Sequence, residues 1–379
     1  MVAWQHCHNI ESLRLAAKRY LPRLVFDYID GGVDDEVALA RNREVFATVG
    51  LLPRYLVDVS DINPRTSLLG QTYDLPFGIA PTGLAGFARH GADLMLARAA
   101  AKFNVPFVLS GAGTASIEAA AQAAPEHTWF QLYVSRQWRI TSDLIQRAHR
   151  AGIRHLVVTV DVPIHSNRER DVRNGFVPPV KPTLSAVLNM LAHPSWLCRF
   201  AQKGLPRFES WAPYAPEGAS AKAVADLFTS QIPFTQTWGD LARIREAWPG
   251  QLIVKGVLHS DDAWQAVQKG ADAIWLSNHG GRVLDAAPTA LEVLPDVRER
   301  VGAGVPLIVD GGVRRATDVL KAMAMGANFV FAGRPTLYGV AVGAQSGAEH
   351  ALAILRRELN QTMAQLGGWG EKKELTVLR

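Results

Sequence analysis

Cysteine is nearly absent from this chain of 379 residues, which carries only Cys7 and Cys198. Two distant thiols cannot build a disulfide framework, and neither stands in a metal-ligand spacing. A reducing compartment without a metal centre is therefore the expectation. Long apolar runs are also missing, since no stretch reaches the roughly 18 to 20 residues of a spanning helix. The N-terminus lacks the basic-then-apolar pattern of a signal peptide, so the chain is expected in the cytoplasm. Strong charge is missing too. A net charge of +5 suits anionic ligands or an anionic membrane surface, and no nucleic-acid motif accompanies it. Apolar residues are plentiful. At 48% of the chain they can bury a full core, which excludes disorder.

From residue 76 onward, short apolar, β-branched runs recur at 76–81, 106–111, 129–134, 155–161, 252–257, 273–278, 306–312 and 329–334. Continuous apolar runs of this length suit strands buried on both faces, as a parallel sheet requires. Ala-rich amphipathic stretches lie between them, at 92–102, 141–151, 260–269 and 317–325. Eight strands alternating with helices predict an α/β fold, a (β/α)8 TIM barrel. The competing doubly wound sheet would favour a glycine-rich phosphate turn after the first strand, and Pro81, Thr82, Gly83 and Leu84 do not form one.

One gap is too long for a helix and its loops, from Asp161 to Lys255. With the crossover helix placed at 238–248, residues 162–235 become an insertion after the fourth strand. Residues 1–75 form an N-terminal cap with helices near 10–19 and 34–46. The expectation is a single domain over 1–379, with its barrel at about 76–360.

Barrel enzymes carry their sites at the C-terminal ends of the strands. Polar residues collect there: Ser110, Gln131, Tyr133, Thr159, Asp161, Lys255, Ser277, His279 and Asp310. The last two loops, with Asp310, Gly311, Gly312 and Arg314, then Gly333 and Arg334, fit a phosphate. Glycine lets backbone N–H groups approach, and arginine adds charge-assisted bonds. Tight turns alone would also favour glycine. His279 titrates near neutral pH, and Arg282 on the same loop can grip a carboxylate in a bidentate fork. Base and clamp on one loop would orient a 2-hydroxy acid for proton removal. Asp161 either holds the His279 ring or caps a helix. Lys255 would place positive charge where a reduced cofactor becomes anionic.

On these residues the chain resembles the FMN-dependent 2-hydroxy-acid oxidase and dehydrogenase family over about 26–357. The loops 277–282 and 310–314 are the most specific. The resemblance implies FMN bound by Pro81, Thr82, Gly83, Ser110, Gln131, Thr159, Lys255, Ser277, Asp310, Gly311, Gly312, Arg314, Gly333 and Arg334. It implies that Tyr28, Arg282 and Arg168 take the substrate carboxylate and that Tyr133 meets its hydroxyl. His279 would be the base, with Asp161 its partner. Loss of the hydroxyl proton with a hydride, or of the α-proton, would use the same residues.

Pro81, Thr82, Gly83, Leu84, Arg168, Glu169, Arg170, Asp171 and the stretch 336–339 resemble the mandelate dehydrogenase branch. Gly83 leans towards poor oxygen use, where the family's oxidases carry alanine. Ala112 implies a pocket larger than glycolate needs. In the insertion, Leu184, Val187, Leu188 and Leu191 recur at helical spacing, followed by Trp196, Leu197 and Phe200. Arg173, Lys181, Arg199, Lys203 and Arg207 flank them, and Glu209 is the one acid between Val172 and Ser210. That is the profile of a segment lying in a bilayer interface, although packing on the barrel would also use it. With the resemblance, it implies peripheral contact with the inner face of the cell membrane and electrons passed to a quinone. The resemblance also implies a homotetramer, and a soluble oxidase producing hydrogen peroxide stays open as the alternative.

Overall fold

The structure, a computed structural model, describes residues 4–176, 183–232, 235–368 and 377–378. Eight parallel strands close into a barrel in chain order. They are β1 (Phe77–Ile79), β2 (Phe107–Leu109), β3 (Thr128–Leu132), β4 (His155–Thr159), β5 (Gln251–Val257), β6 (Ala273–Leu276), β7 (Leu307–Val309) and β8 (Phe329–Ala332). The seam closes where Val330 pairs with Phe77 and Ala332 with Ile79. All eight expected strands are present.

The unbroken apolar runs follow from burial on two sides. In β4, Leu156 and Val158 turn outward to the helix layer while Val157 turns into the barrel. Successive side chains point to opposite faces, so a strand buried on both needs apolar residues throughout. Beneath the mouth, Trp129, Trp275, Phe329 and Phe331 fill the barrel interior. Trp275 stacks on Phe331 with ring centroids 4.2 Å apart. An antiparallel hairpin, Thr66–Leu68 with Gln71–Tyr73, adds Leu68 and Tyr73 to this cluster and plugs the floor. Each such burial stabilises by roughly 1.5–3 kcal/mol, and Trp275→Ala would cost about 3–5 kcal/mol.

The helix Ala92–Lys102 has the expected bounds, and Ser260–Gln268 and Ala316–Ala324 depart by a residue. Trp238–Ala247 is the expected crossover, started by a capping box between Thr237 and Asp240. The helix expected at 34–46 begins only at Val37, because Asp34 and Glu36 sit at φ 46° and 63°. Side chains there disfavour helix propagation. The cap adds a helix that the periodicity did not reveal, Arg23–Asp30, beside the expected Ile10–Tyr20.

The insertion holds helices Glu169–Arg173, Leu184–Leu191, Pro194–Lys203 and Ala221–Gln231. Leu184, Leu188 and Leu191 are 76%, 59% and 59% exposed, so the apolar stripe faces outward. Trp196 and Phe200 correct the expectation for the following helix. Both are buried, stacked 4.1 Å apart, and the Trp196 indole donates to the Phe87 carbonyl at 2.9 Å. They anchor the insertion to the barrel and do not extend the outward stripe. Lys181 lies outside the described residues. Among the described residues no helix is long and apolar enough to cross a membrane, and no acid, histidine or cysteine cluster could hold a metal.

Candidate active site

The loop after β6 turns back on itself, with His279 at φ 57°. Its backbone N–H donates to Ser277 Oγ at 3.0 Å, and its Nδ1 lies 2.9 Å from Asp161 Oδ1. Asp161 follows β4, so its orienting role and not the helix cap is what the fold builds. A carboxylate on Nδ1 fixes the Nδ1–H tautomer and leaves Nε2 as the basic nitrogen. Burial pushes the imidazole below its ordinary pKa, against the opposite pull of Asp161. Burial alone would raise Asp161, but His279 and Lys255 hold its carboxyl below the usual carboxylate range. A neutral imidazole with 20% of its side-chain surface open is a base ready to accept a proton.

Gly256 makes this pairing possible and was not singled out in the sequence. The ladder between β5 and β6 shifts register between Lys255 and Val257, and Gly256 sits at φ 99°. A Cβ there would lie 2.5 Å from Asp161 Cγ. Only glycine lets the carboxylate pack against the strand end. The bulge leaves Lys255 buried at the centre of the mouth. Its Nζ lies 3.0 Å from Ser277 Oγ and 3.6 Å from Asp310 Oδ2, and Ser277 Oγ donates to Asp310 Oδ1 at 2.5 Å. Ser277 therefore joins the lysine, the β7 acid and the His279 backbone.

Gln131 on β3 accepts from the Ser110 hydroxyl at 3.2 Å and from the Gly111 N–H at 3.0 Å, both through Oε1. The backbone donor fixes which end of the amide is oxygen. Gln131 Nε2 is left buried without a partner, as is Thr159 Oγ1. Unpaired buried polar groups are costly, so these atoms await a ligand's edge. Pro81, Thr82 and Gly83 follow β1, and Thr82 Cγ2 packs 3.2 Å from where a Cβ on Gly333 would stand.

The two glycine-arginine loops behave differently. At Gly312 a Cβ would fall 1.8 Å from the Asn42 carbonyl, so glycine is obligatory beside Gly311. The amides of Arg314 and Arg315 are held by Asp318 Oδ2 at 2.8 and 2.9 Å. A phosphate would meet the glycine backbone and the Arg314 guanidinium, whose Nε is buried without a partner. Arg334 instead donates to the carbonyls of Ile29, Gly31 and Gly280 at 2.9, 2.9 and 3.1 Å. Its guanidinium joins the cap to the β6 loop, next to the expected phosphate position but not directed solely at it. Asn278 completes that loop, accepting from Asn42 at 2.8 Å and from the Gly281 N–H at 3.1 Å. The lone amide gave no sequence signal.

Arg282 Nη1 donates to the carbonyls of Tyr28 and Gly31 at 2.7 and 2.9 Å, and the guanidinium lies 5.0 Å from the Tyr28 ring centroid. Both bonds come from Nη1, so they do not spend the Nε–Nη2 edge. Burial, then the charge of Arg168, lowers the Arg282 pKa to about 9. The guanidinium remains charged, and the shift marks positive charge lacking an anion. Arg168 Nε is likewise buried without a partner. The Tyr28 hydroxyl reaches the Gly83 carbonyl at 3.4 Å. Burial and the nearby Asp161 raise Tyr133, which keeps it a neutral donor. The unpaired groups of Gln131, Thr159 and Arg314 are available to a planar ligand with a phosphate tail, and those of Arg168 to a small anion.

The comparisons with known proteins agree with this geometry. Residues 17–375 match the family model described as FMN-dependent dehydrogenase. The chain is 38% identical to (S)-mandelate dehydrogenase of Pseudomonas putida, over 96% of this chain and 91% of that one. It is 40% identical to L-lactate oxidase of a Nostoc species, over 95% and 94% of the two chains. Its fold superposes on a crystal structure of the monotopic membrane protein (S)-mandelate dehydrogenase with a TM-score of 0.92, covering 96% of each chain at 38% identity.

Proposed function

The chain belongs to the FMN-dependent dehydrogenases that oxidise 2-hydroxy acids, and from that premise we propose that its substrate is mandelate-like and its electron acceptor a membrane quinone. The site assignment is likewise our reading, and the observation that carries it is the oriented His279–Asp161 pair beside the uncompensated Arg168 and Arg282.

Gln131, Thr159, Lys255, Ser277 and the Gly311–Gly312–Arg314 turn would hold FMN, which would serve as the two-electron acceptor. Arg282 and Arg168 take the acid's carboxylate, with the Tyr28 and Tyr133 hydroxyls beside it. His279 Nε2 accepts one proton as the acid becomes a 2-keto acid. A base so placed contributes roughly 10²–10⁴ in rate, and Asp161 stabilises the resulting imidazolium through Nδ1–H. Lys255, buried at the mouth, would place a positive charge beside the bound group.

The small side chain of Ala112, next to Gly83, supports a substrate larger than glycolate, although the space at Gly83 itself is narrow. A Cβ on Gly83 would stand 3.2 Å from Ala112 Cβ and 3.4 Å from the Tyr28 hydroxyl. The outward stripe of Leu184, Leu188 and Leu191 supports peripheral attachment to the inner membrane face. Replacing those three leucines by serine should abolish co-sedimentation with anionic vesicles and leave turnover with a soluble dye unchanged.

The deciding experiment is anaerobic bleaching of the bound flavin by a panel of L- and D-2-hydroxy acids. Fast bleaching by an aryl acid supports the reading, and bleaching by none of the acids ends it. The likeness to an L-lactate oxidase favours a second reading, a soluble oxidase releasing hydrogen peroxide. Stopped-flow reoxidation by oxygen separates the two, slow for the dehydrogenase and fast for the oxidase.

A further inference from the structure

The helix Arg23–Asp30 ends against the mouth, and three carbonyls at that end, those of Tyr28, Ile29 and Gly31, are taken by arginines. Tyr28 and Gly31 hold Arg282, while Ile29 and Gly31 hold Arg334. Cations are favoured at a helix C-terminus, where the last carbonyls lack intrahelical partners. The aim of both guanidiniums therefore depends on where this short helix stops.

A buried acid fixes that end. Asp30 accepts from Arg14 Nε at 2.6 Å, from Arg14 Nη2 at 2.7 Å and from the Tyr338 hydroxyl at 2.7 Å. Arg170 Nη1 lies 3.7 Å away on the insertion side. Arg14 comes from the helix Ile10–Tyr20, and Tyr338 follows β8. The Tyr338 ring lies 5.9 Å from the Arg314 guanidinium, so the hub also touches the phosphate loop. A bidentate arginine and a tyrosine on one carboxylate make a stiff junction.

We infer that Asp30 is a positioning residue for both anions of the site, fixing the helix end from which Arg282 meets the substrate carboxylate and Arg334 flanks the phosphate. The inference rests on the reading above for the targets of those arginines. Asp30 touches neither anion and acts through the carbonyls of Tyr28, Ile29 and Gly31.

The test uses the flavin-loaded protein and Asp30→Asn, which keeps the shape but loses the charge that binds Arg14. FMN release on dilution is followed by fluorescence, and Michaelis parameters are compared for a 2-hydroxy acid and its neutral amide. The expected result is a roughly tenfold rise in KM for the acid with kcat changed less than about threefold. The amide should be little affected, and FMN should leave severalfold faster. A purely structural role would instead lower the melting temperature and treat acid and amide alike. Tyr338→Phe removes one bond and should shift the same readouts in the same direction by less, and it carries the test if Asp30→Asn does not fold. A folded variant with unchanged acid-to-amide selectivity and unchanged FMN release overturns the inference. Should no 2-hydroxy acid reduce the wild-type flavin, the substrate reading has failed, and FMN release alone decides the role of Asp30.

Discussion

A buried histidine and a half-buried one stand at opposite ends of this barrel, and their surroundings make them different chemical objects. His155 opens β4 at the floor, stacked on Trp129 at 4.3 Å with Nε2 lacking a partner. Burial drives its pKa down to about 4, and the other groups acting on it are the Leu69 backbone and Arg154. His279 at the mouth is lowered by burial too, but Asp161 pulls the other way and part of the ring stays open. The floor histidine is packing material. What makes an imidazole a base is the carboxylate behind it and the opening in front of it.

Removing the proposed base at the mouth should have the largest effect. His279→Asn should lower kcat by roughly 10²–10⁴ while the flavin spectrum stays intact, and near-normal turnover would place the base elsewhere. Asp161→Asn comes next, with a loss of about ten- to a hundredfold. Asp161 raises the imidazole pKa, so its removal should move the acid limb of the kcat/KM profile to lower pH. A limb that moves upward would contradict the pairing. Gly256→Ala puts a methyl group 2.5 Å from Asp161 Cγ at φ 99°. It should lose activity in the same direction as Asp161→Asn, and also about 1–3 kcal/mol of stability from the strained backbone.

The smallest effect on turnover belongs to the floor. His155→Phe should leave kcat and KM unchanged and cost about 1 kcal/mol at neutral pH for the lost bond to Leu69. Native His155 stays neutral where the unfolded chain takes up a proton, so stability should fall as pH drops from 6.5 towards 4. That slope, up to about 3 kcal/mol, should flatten in the variant when the melting temperature is followed across pH. An unchanged slope would assign it to other groups, His279 among them. A variant that also lost turnover would erase the distinction between the two ends.

The barrel was legible because burial on both faces writes itself as eight apolar runs, and the polar residues at their ends named His279, Lys255, Gln131 and Asp310. The insertion was legible as a gap in spacing. Its stripe at Leu184, Leu188 and Leu191 is exposed as expected, whereas Trp196 and Phe200 turned inward. Amphipathic spacing shows that a helix has an apolar face, not what will cover it. The helix Arg23–Asp30 and the floor hairpin escaped because eight- and three-residue elements carry too few periods to read.

The order of strands and the residue types at their ends were determined by the sequence, since strand periodicity and burial are local properties of the chain. Folding alone decided which carboxylate reached His279, that Gly256 had to make room for it, and that Arg334 would serve the Ile29 and Gly31 carbonyls. Those outcomes join residues from 95 to 305 positions apart. A hydrogen bond at 2.9 Å depends on how strands and loops register in space, which no local pattern encodes.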